Sequence, residues 1–269
     1  SGPLLRVLLI DLGEEDHILM VTTHHIISDQ WSYGIIAREL VACYNAACEG
    51  RPVVLKPELT IQYADFAQWQ REWLTGPVQT EQMAYWKSKL ANLPVMSLPG
   101  DRPRPPVHSF KGDHVSIDLP WALINRLKQL SVREGVTLYM VFLAGFFALL
   151  HRLTQQRDIV IGTPIANRHW LAIEDLIGTF VNTLVLRADL SPETTFHDLL
   201  GKVRDLSLEA YAHQDMPFEK LVEELRPDRS HGGLPLVQIL FTRSERGRAT
   251  GCPHRRDACA TAALQENPF

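Results

Sequence analysis

The chain has 269 residues, 45% hydrophobic and 22% charged, which is ordinary for a globular protein and enough for one large core or two smaller ones. A formal charge of -4 brings no basic excess of the kind that tracks a phosphate backbone, so no nucleic-acid partner is expected. The longest apolar stretch, Tyr139 to Leu150, is far short of the roughly 20 residues that span a bilayer, and no basic segment followed by an apolar signal core opens the sequence, so no membrane partner is expected either.

Two strand-like runs come first, Pro3 to Leu12 and His17 to Thr23. The polar cluster between them predicts a hairpin. From Trp31 the apolar residues Trp31, Ile35, Leu40, Tyr44 and Ala47 recur near helical spacing until Glu49-Gly50-Arg51-Pro52 stops the pattern. Two further helices are predicted around QYADFAQWQREWL and EQMAYWKSKLANL. In the first of these, Tyr63, Phe66 and Trp69 lie three apart, the spacing of a core stripe.

A proline-rich break over residues 99–113 follows, and proline neither donates to a ladder nor continues a helix, so this segment is expected to link two lobes. Beyond it HVSIDLP predicts a strand, Thr137 to Leu153 a buried helix, and DIVIGTPIANR a short strand running into a Gly-Pro turn. Residues 178–187 predict another strand and Phe196 to Tyr211 another helix; His213, Asp215 and Pro217 form a turn before the amphipathic helix FEKLVEEL. The class is therefore mixed α/β in two lobes. The tail over 242–269 has neither period and is expected to be unrelated to the rest or disordered. Cys252, His254 and Cys259 lie in it at irregular spacing, short of the closed four-ligand pattern of structural zinc, and no metal site is expected. The four cysteines make no disulfide framework, and a reducing cytoplasm is the expected location.

The chemistry concentrates where the second strand ends, at VTTHHIISDQWSYG. Successive strand residues point to opposite faces, so His24 and His25 cannot serve one ligand unless the strand has already broken. One histidine at such a junction has the geometry of a general base, one ring nitrogen oriented by the protein and the other facing a cleft. The plainer reading is two half-buried histidines, with Asp29 capping the helix that follows.

Five stretches in order, TTHHIISDQWS, YADFAQWQ from Tyr63, IGTFVNTLVLR from Ile177, HQDMPFEKLVEEL from His213 and RPDRSHGGLPLVQILF from Arg226, make the chain resemble the condensation domains of non-ribosomal peptide synthetases over residues 2–241. The resemblance implies a two-lobed fold like chloramphenicol acetyltransferase, with both lobes incomplete here. Residues 1–98 would end the N-terminal lobe and 114–241 would form part of the C-terminal one. It implies amide formation between a donor acyl or peptidyl thioester and an acceptor aminoacyl thioester, both on the phosphopantetheine arms of peptidyl carrier domains. An adenylation domain would sit nearby, and the domain itself would bind no cofactor. By the same resemblance His25 meets the acceptor amine, as general base or by positioning it and stabilising the tetrahedral intermediate, with His24 beside it. Asp29 would pair with Arg168 and stitch the two lobes beside a tunnel, the competing role being to orient His25. Gly178 and Asn182 would place backbone and amide groups on the tunnel floor. Gln30 stands where the family usually has glycine. The alternatives are a free-standing acyltransferase using coenzyme A and a condensation-like module that binds without catalysis.

Overall fold

The computed structural model describes residues 2–14, 16–55, 58–96, 98–100, 112–227 and 235–243. Most of the expected linker lies outside these residues, as does the tail beyond 243 with Cys252, His254 and Cys259. The chain divides into two compact units, Ser1–Val78 with Ala166–Asn182, and Gln79–Ile165 with Thr183–Phe269. The division differs from the expected boundary at the proline-rich break: residues 166–182 belong with the N-terminal unit, because their contacts lie there.

In the first unit, β1 (Leu5–Asp11) and β2 (His17–Thr23) form the expected antiparallel hairpin, in register from Leu5 opposite Thr23 to Asp11 opposite His17. Paired residues share a face, so Val7 with Val21 and Leu9 with Leu19 alternate with Leu8 and Met20. The helix α1 (Gln30–Cys48) follows, and it stops where Gly50 takes φ 62°, a left-handed backbone that glycine adopts without a Cβ clash. In α2 (Tyr63–Trp73) the Asp65 carboxylate accepts the backbone N–H of Gln62 at 2.7 Å, closing the helix start. Phe66 then packs with Ile173, Leu176 and Phe180, and Tyr63 and Trp170 lie against that cluster. The three-apart aromatic stripe is thus core packing on its inner side.

The second unit begins at Gln79 within α3 (Gly76–Lys89), and α4 (Trp121–Arg133) and α5 (Leu138–Thr154) follow. α4 is not expected from the sequence, although Pro120 precedes it and Ile124, Leu127 and Leu130 recur three apart. The strand expected at HVSIDLP is absent. Its apolar alternation meets no ladder partner among the described residues, and Val115 and Ile117 stay 84% and 70% exposed. In α5 the Thr137 hydroxyl caps the N–H of Met140 at 3.2 Å, and Met140, Leu143, Ala144, Phe147 and Leu150 are buried along it.

Strand β3 (Asp158–Ile165) pairs with β4 (Asn182–Asp189), and the short α6 (Leu171–Glu174) lies between them in sequence. The expected Gly-Pro turn is instead strand: the Gly162 N–H donates to Ile239 O and its carbonyl accepts from Phe241 N, both at 2.8 Å. Gly162 is there for close approach. A Cβ on it would lie 2.6 Å from Leu240 Cδ2 and 2.9 Å from Val237 Cγ2. β4 starts four residues later than expected, since the amides before it serve side chains of the first unit rather than a ladder. Arg187 ties β4 to β3 through Asp158 (2.6 Å) and to the chain after α3 through the carbonyls of Lys89 (2.9 Å) and Ala91 (2.7 Å). The helices α7 (Phe196–Ala212) and α8 (Phe218–Leu225) complete the unit. Among the described residues no single helix is long and apolar enough to cross a membrane.

Gly162→Ala should cost about 1–3 kcal/mol, the penalty of overpacking against a β-branched neighbour. Denaturant unfolding checks it: unchanged stability would mean that the 237–241 segment does not hold β3.

Candidate active site

The site is built where β2 stops. The His24 N–H donates to Leu4 O at 2.8 Å, the last bond at this end of the hairpin. His25 to Ile27 then form a single 3₁₀ turn. The strand has therefore broken before the second histidine, and the two rings need not oppose each other. His24 faces back into the turn: its Nδ1 accepts the Ile26 N–H at 3.1 Å, so the neutral ring carries its proton on Nε2. The His25 side chain is exposed and its ring makes no hydrogen bond among the described residues. What holds His25 is its backbone. Its carbonyl accepts from the Ser28 N–H at 3.4 Å and from the Thr179 hydroxyl.

Asp29 caps α1. Its Oδ1 accepts the Ser32 N–H (2.9 Å) and hydroxyl (2.8 Å), and its Oδ2 accepts the Phe180 N–H (3.0 Å). Arg168 Nη2 reaches both oxygens, at 3.1 and 3.3 Å. These donors occupy the carboxylate, and it makes no hydrogen bond to either histidine ring among the described residues. Helix cap and ion pair are thus one arrangement, whereas the orienting role lacks the contact it requires.

The pair is deeply buried, with side-chain exposure of 0% for Arg168 and 5% for Asp29. Burying two charges costs several kcal/mol each unless their remaining hydrogen-bonding capacity is filled. Arg168 comes close to filling it: Nη1 donates to Ile173 O (2.8 Å) and Leu176 O (2.7 Å), and Nη2 also reaches Ser32 Oγ (3.0 Å). Only its Nε has no partner among the described residues. The guanidinium carbon also lies 4.0 Å from the centre of the Phe180 ring, a cation–π contact.

Burial pushes the Asp29 carboxyl up. The Ser32 and Phe180 amides, the Ser32 hydroxyl and the Arg168 charge outweigh it and hold the group below its ordinary 3.8. Burial pulls Arg168 downward while Asp29 opposes it, and from so high an ordinary value the guanidinium stays charged. Both partners lie in the first compact unit. The ion pair therefore fastens the 168–180 segment to the start of α1 within one unit, and does not stitch two lobes as expected.

Gly178 supplies backbone to this network: its N–H donates to Ser32 Oγ at 3.1 Å, and its carbonyl, 2.9 Å from that oxygen, shares the single Ser32 hydroxyl proton with Asp29. It is glycine because the Tyr63 ring fills the space of a side chain; a Cβ would lie 2.1 Å from Tyr63 Cδ2. Asn182 is buried at the first position of β4. Gln30 is the first residue of α1 and is exposed. Sequence reasoning missed Ser32, Tyr63 as a donor, Thr179 and Phe180. Only Ser32 had a signal, as a hydroxyl three positions after a capping aspartate. Among the described residues no group of three or more His, Cys, Asp or Glu is placed to hold a metal.

Three comparisons bear on this geometry. The Condensation domain family model matches residues 1–246. A component of the linear gramicidin synthase of Brevibacillus parabrevis is 50% identical over 241 residues, covering 89% of this chain but 3% of that protein. Malpinin synthetase of Mortierella alpina is 48% identical over 242 residues, covering 90% of this chain and again 3% of that protein. The chain thus spans a few per cent of the length of such relatives. Among solved structures, the X-domain from teicoplanin biosynthesis superposes with a TM-score of 0.81 at 30% identity, over 90% of this chain and 55% of that one. A four-domain nonribosomal peptide synthetase bound to AMP and glycine gives 0.78 at 26% identity, over 91% of this chain and 18% of that one.

Asp29→Ala and Arg168→Ala should each destabilise by about 3–5 kcal/mol, because each strands a buried charge. The double variant should cost much less than the sum, because the two residues share one interaction. Unfolding of the four proteins measures the coupling, and additive losses would give Arg168 another partner. The pH dependence has a definite sign. The folded pKa of Asp29 is depressed, so its contribution is present above 3.8 and is lost as pH falls through the lower folded value. Asp29→Asn should flatten that part of the acid limb of a stability–pH curve.

Proposed function

The chain belongs to the condensation-domain family, and on that premise we propose that it forms an amide bond between a donor acyl or peptidyl thioester and the amine of an acceptor aminoacyl thioester. Both substrates would be delivered on the phosphopantetheine arms of carrier domains, beside an adenylation domain as in multidomain synthetases. The observation that carries this reading is the exposed His25 ring on a turn that the buried ion-pair network holds from behind.

The acceptor nitrogen attacks the thioester carbonyl, a C–N bond forms, and the tetrahedral intermediate collapses by breaking the C–S bond. The proton lost by the amine ends on the departing thiol. An α-amino group has a reference pKa of roughly 7.7–8.0 and histidine roughly 6.5, so a fair part of the amine is neutral near pH 7. His25 then serves by accepting the amine proton as the intermediate forms, or by positioning the amine and stabilising that intermediate. The reading needs no covalent enzyme intermediate: no Gly-x-Ser-x-Gly elbow occurs in the sequence and no cysteine accompanies the histidines.

A binding role is the second reading, favoured by one observation. The X-domain from teicoplanin biosynthesis, in a structure of its complex with OxyB, superposes on this chain with a TM-score of 0.82. The intact His24, His25 and Asp29 favour catalysis over recruitment.

In the complete protein that carries this sequence, His25→Ala should lower amide transfer between two loaded carrier proteins about 10²- to 10⁴-fold without loss of fold. Undiminished dipeptide formation would remove His25 from the mechanism. Coenzyme A thioesters should be poor donors beside the same acyl group on a carrier protein, and equal turnover with both would favour the free acyltransferase.

A further inference from the structure

The His25 turn is three residues long; the Ile27 N–H closes it onto His24 O at 3.1 Å, but the bond to the carbonyl of His25 itself, from the Ser28 N–H, is long at 3.4 Å. So short a 3₁₀ turn, with only a weak local bond on the His25 carbonyl, fixes that peptide poorly by itself. The second acceptor contact on the same carbonyl comes from Thr179, 154 residues away in sequence. We propose that Thr179 is the positioning residue for His25: its hydroxyl clamps the His25 peptide and so fixes where the imidazole stands. The inference rests on the reading of His25 as the residue that meets the amine.

Thr179 suits the task because it is itself held on every side. The preceding residue, Gly178, has both backbone groups on Ser32 Oγ. The following residue, Phe180, gives its N–H to Asp29. The carbonyl of Thr179 accepts the Tyr63 hydroxyl at 2.8 Å. Tyr63 in turn is wedged against Gly178, where any Cβ would collide with it. A β-branched side chain adds a stiff first torsion. The donor hydroxyl therefore sits on a stretch whose backbone is bonded at Gly178, Thr179 and Phe180, and the His25 turn is referred to it.

This arrangement also gives the ion pair a task it does not perform through direct contact. Asp29 and Arg168 fasten residues 178 and 180, and Thr179 between them reaches the histidine. Each link joins elements that lie more than a hundred residues apart in sequence, within the same compact unit.

The test uses the complete protein with its loaded carrier proteins and compares Thr179→Val, which keeps the shape and loses the donor, with Thr179→Ser, which keeps the donor. Thr179→Val should lower kcat about 10- to 100-fold with little change in acceptor KM, since a misplacement of about 1 Å can cost about a hundredfold. Thr179→Ser should restore most of it. Amide hydrogen exchange supplies a readout that does not depend on turnover. The Ser28 amide, bonded to the clamped carbonyl, should exchange about tenfold faster in Thr179→Val, and the Phe180 amide should not change. Should Thr179→Val fail to fold, Tyr63→Phe releases the Thr179 carbonyl while keeping the ring against Gly178; it should raise Ser28 exchange and lower kcat in the same direction. His25→Ala is measured in parallel. If it transfers normally, the functional reading fails and the positioning role falls with it. If it is inactive while Thr179→Val, or in its place Tyr63→Phe, has wild-type kcat and Ser28 exchange, the positioning role alone is overturned.

Discussion

The structure around the candidate site depends on a buried carboxylate and guanidinium that must be kept satisfied. Arg168 has no exposed side-chain surface, and Asp29 has almost none. An ion pair in such a place is stable only if nearly every donor and lone pair finds a partner. That requirement recruits the Ser32 hydroxyl, the Ser32 and Phe180 amides and the carbonyls of Ile173 and Leu176. Satisfying one charge pair thus fixes the start of α1 and the course of residues 173–180 in a single stroke. The Phe180 ring under the guanidinium and the Phe66 cluster beyond it supply the apolar wall.

This view separates the two halves of the signature stretch by physical role. Asp29 is the buried end, committed to helix capping and to Arg168. The histidines are the solvent end. His24 spends its Nδ1 on the turn, and the His25 ring makes no hydrogen bond among the described residues, on a backbone held by Thr179. The role proposed for His25 calls for a side chain on a held backbone, because orientation is a large share of the barrier. Much of the surrounding sequence serves that support. Gly178 is glycine to admit Tyr63, and Tyr63 is tyrosine to bond Thr179.

Local pattern carried much of the architecture in the sequence: the hairpin, α1 with its Gly50 stop, and the apolar α5 follow from periodicity and end signals. Pattern failed where tertiary contacts decided. The apolar alternation of HVSIDLP has no strand to pair with among the described residues, and Gly162-Thr163-Pro164 stays in β3 because the 239–241 segment lies against it. The late start of β4 has the same origin, since the amides of Gly178 and Phe180 bond Ser32 and Asp29. At the site, the pairing of Asp29 with Arg168 was legible through the family resemblance. Thr179 and the donor role of Tyr63 were not, because hydrogen bonds spanning 154 and 116 residues leave no periodic trace.

The central claim is that the charge of Asp29 acts on the protein and not on the His25 ring. It is tested most directly by turnover per folded molecule in Asp29→Asn, with the folded fraction fixed by denaturant titration under the assay conditions. The account predicts a value within about tenfold of the wild type once unfolding is allowed for. In a serine-protease triad, by contrast, the same Asp→Asn change lowers kcat about 10⁴-fold in an intact fold. A loss of that size in fully folded Asp29→Asn would contradict the account and make Asp29 the residue that orients His25.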